Sequence, residues 1–123
     1  MPTQNEFRLV FKKLKKVLEP FANKLTVTTD TSNVYSLNGP YSNKWKKELF
    51  FGSVQVKKNY VSFYLMPVYM CPELLNGITP KLKKHMQGKS CFNFKKVEPD
   101  LFNQLSGLTK QGYERFKKET AAE

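Results

Sequence analysis

Gly88-Lys89-Ser90, within the stretch MQGKSCFNFKK, carries the residue types that close a phosphate-binding loop. That loop has the form Gly-x-x-x-x-Gly-Lys-Ser/Thr between a strand and a helix, so that backbone N–H groups and the helix N-terminus surround the phosphates. Here the position of the first glycine is occupied by Lys83, a helical pattern precedes Gly88, and a strand pattern follows it. The order is the reverse of what phosphate binding needs. The motif reads instead as a glycine in a left-handed conformation that ends a helix over 79–87 before a strand begins.

Other reactive residues are equally dispersed. His85 is the sole histidine and has no acid close to it in the chain, while Glu73, Glu98 and Asp100 fall on separate segments with no pairing pattern. Glu98 and Asp100 flank Pro99, where carboxylates suit the first turn of a helix. Cys91, near Lys89, is the one candidate nucleophile, and on a short strand it reads as a small hydrophobe. Cys71 and Cys91 form no CxxC and join no Cys/His cluster. No catalytic residue, metal ligand or cofactor is expected, and the protein leans away from being an enzyme.

Twenty-one Lys and Arg against ten Asp and Glu leave a formal charge of +11, which attracts polyanions. Only Arg8 and Arg115 are arginines, however, and the planar fork that reads guanine or grips phosphate is theirs. The lysine coat therefore suits nonspecific polyanion contact, RNA included, and not sequence readout. Apolar runs such as YVSFYLMPVYM are too short and interrupted to span a bilayer. The N-terminal stretch is amphipathic and contains Glu6, unlike a secretory signal. A cytoplasmic location is expected.

The elements that would position these residues emerge from periodicity. A chain of 123 residues fits one domain, 1–123, and 40% apolar residues with ten Phe and six Tyr fill one core. Phe7, Val10, Phe11, Leu14, Val17, Leu18 and Phe21 recur at helical spacing, opposite Arg8, Lys12, Lys15, Lys16 and Glu19, with Thr3 as N-cap and Pro20 near the end. LTVTTDT and NVYSLNG read as paired strands. KELFFGSVQVKKNYVSFYLMP is the clearest hairpin, turning at Lys57-Lys58-Asn59. In it Phe50, Gly52, Val54 and Val56 are expected on one face, and Val61, Phe63 and Leu65 on one face of the second strand with Tyr60, Ser62, Tyr64 and Met66 opposite. Short helices are expected over 72–75 and 79–87, then a strand with Phe92 and Phe94 on one face. A last helix opens at Pro99, with Leu101, Phe102, Leu105, Leu108, Gly112 and Phe116 on its apolar side. The class is α+β: an antiparallel sheet of four to five strands with N- and C-terminal helices on one face.

ELFFGSVQVKKNYVSFYLMPVYMCPELLNG, MQGKSCFNFKK and LFNQLSGLTKQGYERF together resemble the YdhG-like family of small bacterial domains of unknown function, from about Leu25 onward. The Gly-Lys-Ser-x-Phe-x-Phe piece is similar to that family's Gly-Lys-Gly-Thr-x-x-Phe element. The resemblance implies an antiparallel sheet with helices on one side. It also implies, through a frataxin-like branch, a possible link to iron delivery. An iron carrier needs clustered carboxylates, and here the first helix offers Glu6 and Glu19 among five basic residues.

The functional expectation is a non-enzymatic binding module for a small, anionic ligand. Trp45, Tyr60, Tyr64 and Tyr69 would offer aromatic surface, and Lys89 and Ser90 polar anchors. The competing expectation for the aromatics is that they complete a second apolar layer on the sheet.

Overall fold

The computed structural model describes residues 4–42 and 46–120. Helix α1, Gln4–Leu18, continues as one tighter turn over Glu19–Phe21, where Pro20 fits because a first turn needs no N–H from it. All seven apolar residues expected on its inner face, Phe7 to Phe21, are buried, and the basic residues Arg8, Lys12 and Lys16 are exposed. Thr3, the expected cap, lies outside the described residues.

Five strands follow: β1 Thr26–Asp30, β2 Val34–Ser42, β3 Lys47–Val56, β4 Val61–Leu65 and, after an irregular stretch, β5 Cys91–Phe94. They lie in chain order, each antiparallel to its predecessor. The β1–β2 turn is held by Thr31, whose Oγ1 accepts from the N–H of Asn33 and of Val34. The β3–β4 turn falls at Lys57-Lys58-Asn59 as the alternation predicts, closed by the Lys57 N–H donating to the Tyr60 carbonyl at 2.8 Å.

The apolar face of β3 departs from simple alternation. Leu37 of β2 pairs with Gly52 and Asn38 pairs with Phe50, which leaves Phe51 as an extra residue in a β-bulge. Beyond the bulge the phase reverses. Phe51, fully buried, joins Gly52 and Val54 on the core side, and half-buried Phe50 does not share it. Phe51 packs against Phe21, Tyr113 and Phe116 with ring centroids 5.9, 6.0 and 5.2 Å away. Gly39 of β2 lies beneath Phe116: a Cβ there would stand 2.5 Å from the ring.

Between β4 and β5 the chain forms helix α2, Met66–Met70, a tight helical turn over Pro72–Gly77, and helix α3, Pro80–Lys83, capped by Thr79 Oγ1 accepting from the Leu82 N–H. Helix α2 was not foreseen, because Pro67 reads as a break although it sits in the first turn, where proline is tolerated. The helix expected to continue to 87 ends earlier. Met86 instead bridges to Phe92, and the N–H of Gln87 donates to the Cys91 carbonyl. Gly88 does adopt a positive φ, 83°, but in the tight turn that folds 86–87 back along β5, not as a helix cap.

Helix α4, Pro99–Thr120, buries Leu101, Phe102, Leu105, Leu108, Tyr113 and Phe116. It packs beside α1 on the same face of the sheet, and the buried side chains form one continuous cluster that extends to Val68, Leu74 and Leu82. The architecture is α+β, with a one-sided antiparallel sheet of five strands. No helix among the described residues is long and apolar enough to cross a membrane.

Two substitutions separate the bulge from simple alternation. Phe51→Ala is expected to lower stability by about 3–5 kcal/mol, as for a fully buried ring, and Phe50→Ala by less than half of that. Gly88→Ala is expected to cost about 1–2 kcal/mol from its positive φ. Denaturant midpoints of the three variants measure all of these.

Candidate functional site

Because both long helices lie on one face, the other face of the central strands has no helical layer over it. Alternation places Ser36, Ser53, Gln55, Ser62, Tyr64, Cys91 and Asn93 there, in cross-strand register. Ser53 and Ser62 are almost wholly covered by their larger cross-strand partners, Tyr64 opposite Ser53, and Gln55 and Asn93 opposite Ser62. Asn93 organises this strip. Its Oδ1 accepts from Ser62 Oγ at 2.6 Å and from Cys91 Sγ at 3.3 Å, and its Nδ2 donates to Gln87 Oε1. Lys57 adds a cation: its Nζ donates to Gln55 Oε1 at 2.8 Å and lies 5.9 Å from the Tyr64 ring centre.

At the β5 edge the strip ends in a cleft of about 610 Å³, lined by Tyr60, His85, Gln87, Asn93, Lys95, Lys96 and Glu98. The backbone bond from Asn93 N–H to the His85 carbonyl ties 85–87 along β5 and so sets His85 beside the cleft. The imidazole stacks on Phe94 at 4.5 Å with planes 21° apart. Its Nδ1 is 2.8 Å from the Asn93 carbonyl oxygen, which can only accept, so Nδ1 carries a hydrogen. Its Nε2 is 3.1 Å from Glu98 Oε2. Glu98 orients His85 across thirteen residues of sequence, a relation no local spacing reveals. Lys95 and Lys96 have no ion-pair partner among the described residues.

The six residues expected to form a site are distributed along the sheet. Tyr60 lines the cleft. Tyr64 lies further along the same face of β4, opposite Ser53 and Cys91. Tyr69 is exposed on α2, with Lys89 Nζ 5.9 Å from its ring centre. The Ser90 carbonyl accepts from the Leu65 N–H at 2.9 Å and so joins the far end of β4. Trp45 lies outside the described residues. Tyr60 precedes β4 and Tyr69 follows its other end on α2, with the five residues of the strand, about 16 Å at strand rise, between them. None of Tyr60, Tyr64 and Tyr69 belongs to the buried core, and among the described residues they form no second apolar layer.

Sequence pattern alone gives His85, Gln87 and Asn93 no place in a site, while Lys95 and Lys96 are legible only as polyanion contacts. For Asn93 and Lys95 a signal exists: alternation with Phe92 and Phe94 sends both to the uncovered face. Burial pushes the Cys91 thiol up, and hydrogen bonds with Ser62 and Tyr64 and the Lys57 charge oppose this to a lesser degree. A protonated thiol is a poor nucleophile. Among the described residues no three of His, Cys, Asp and Glu come together as a metal site would require. Comparison with protein-family models, with curated proteins and with solved structures finds no match.

The Cys91 environment has two measurable effects. At neutral pH iodoacetamide should alkylate Cys91 more slowly in the folded protein than in urea. Because the folded thiol titrates above the unfolded one, its contribution to stability is complete below the ordinary thiol value of about 8.5 and declines as pH rises through the folded value. Cys91→Ala should therefore flatten part of the alkaline fall in denaturant midpoint.

Proposed function

We propose that the protein is a non-enzymatic binding module for a small organic anion, held in the cleft among Tyr60, His85, Lys95 and Lys96. The observation that carries this reading is the charge balance of the cleft. Two lysines line it without ion-pair partners, and its one carboxylate, Glu98, is already engaged by His85. Gln87 and Asn93 supply amide groups and Tyr60 an aromatic face, the mixture that fixes the orientation of a bound molecule. At about 610 Å³ the cleft is within the range of small-molecule sites.

The same geometry argues against general-base chemistry. Both ring nitrogens of His85 are taken by oxygen partners, so neither is directed at a substrate. The neutral Cys91 thiol points the same way. Membership of the YdhG-like family is part of this proposal and is supported by the one-sided antiparallel sheet from β1 to α4; iron delivery is not, since the cleft contains one carboxylate among cations.

A row of exposed cations on α1, Arg8, Lys12 and Lys16 at i, i+4 spacing, supports a second reading as a polyanion-binding surface. Counterion release separates the two. Binding of single-stranded RNA through this row should fall steeply with salt, whereas a small anion in the cleft loses little.

Thermal shift with succinate, AMP and inorganic phosphate, each beside an uncharged analogue, tests the first reading. A ligand at a hundred times its Kd should stabilise by about 2.7 kcal/mol. The expected result is a rise in Tm for at least one organic anion, lost in Lys95→Gln/Lys96→Gln. No rise with any anion, or a rise that survives the double substitution, overturns it.

A further inference from the structure

A second cleft, of about 280 Å³, lies between α1 and the start of α4. The connector between β5 and α4 separates it from the first: Lys95, Lys96 and Glu98 line the cleft beside His85, and Val97 and Pro99 line this one. Its base is apolar, made by Val17, Phe102 and Val97. One rim is cationic, with Lys13 and Lys16 of α1. The other hydrogen-bonds, with Asn103 and Ser106 of α4. Each rim pair is spaced i, i+3, which sets both members on one side of its helix.

The two lysines are what make this groove more than a seam between helices. Lys15, between them in sequence, is paired to Asp30 at 3.0 Å. Lys13 and Lys16 have no acidic partner among the described residues. Asp100, one turn before Asn103, pairs with neither and does not line the cleft. Like charges at i, i+3 repel each other, and an anion between them relieves that.

We infer that this cleft binds a small amphipathic monocarboxylate, its carboxylate between Lys13 and Lys16 and its apolar body on Val17 and Phe102. Inorganic phosphate gains nothing from the apolar base, and an uncharged aromatic gains nothing from the lysines. The volume is just below the usual span of about 300–1,000 Å³ for ligand sites, which limits the body to one ring or a short chain. This inference is independent of the ligand in the cleft beside His85.

NMR titration of the whole protein with benzoate, against benzyl alcohol and inorganic phosphate, tests it. Benzoate is expected to give saturable shifts at the Val17 and Val97 methyls and the Asn103 and Ser106 amides. Lys13→Gln/Lys16→Gln, both at exposed positions, should weaken benzoate by roughly fivefold or more, the scale of exposed charge pairs, while leaving Tm unchanged. Saturation by benzyl alcohol with equal affinity overturns the proposal, since it reduces the cleft to an apolar groove. Equal shifts from phosphate overturn it too, as does a double variant that binds benzoate unchanged. Shifts confined to Tyr60, His85 and Asn93 assign benzoate to the other cleft and equally refute this one.

Discussion

Phe51 reaches the helices only because β3 carries one residue more than β2 opposite it. Without the bulge, alternation would turn this ring to the uncovered face, and the cluster it shares with Phe21, Tyr113 and Phe116 would lose its centre. That cluster joins the end of α1, the middle of the sheet and the last third of α4. The absence of a side chain at Gly39 allows Phe116 to approach β2 closely enough to complete it. Burying rings of this kind contributes about 1.5–3 kcal/mol each, so one backbone irregularity governs a sizeable share of the folding free energy.

Placing every long helix on one side determines the character of the other. A sheet face without an apolar cover must satisfy its own polar groups, and here Ser62 donates to Asn93 across strands while Gln55 donates to Ser53 along β3. Among the described residues no buried side-chain nitrogen or oxygen lacks a partner. The strip is therefore ordered before any ligand arrives, and its edge beside β5, where 85–87 folds back, is where concavity and unpaired cations coincide.

Helices α1 and α4 were legible in the sequence because long amphipathic segments repeat their signal over several turns, and every apolar position assigned to them is buried. The β3–β4 hairpin was legible for a similar reason. The bulge was not: Phe50 and Phe51 are chemically identical neighbours, and only the pairing with β2 decides which faces the core. Gly88 was read correctly as a positive-φ position, yet its context was misjudged because Lys84 to Gln87 continues a helical composition while tertiary pairing with β5 draws it out of the helix. The cleft was the least legible part. His85 and Glu98 meet through the fold of β5, and a lone histidine among lysines gives no hint of a distant carboxylate.

The strict chain order of the five strands bears on how the protein is made. From β1 to β4 each strand adds to its predecessor through a short connection, so loop-closure entropy is small there, whereas β5 returns to β4 only after residues 66–90. Helix α4, the last of the described elements, packs on α1, the first. Its Tyr113 and Phe116 cover Phe51 and its Phe102 covers Phe94, so the last described element laid on the sheet is also the one that shields these rings. Lys57-Lys58 and Lys95-Lys96, at the ends of β3 and β5, place like charge beside apolar strands, the arrangement that discourages strand-to-strand association.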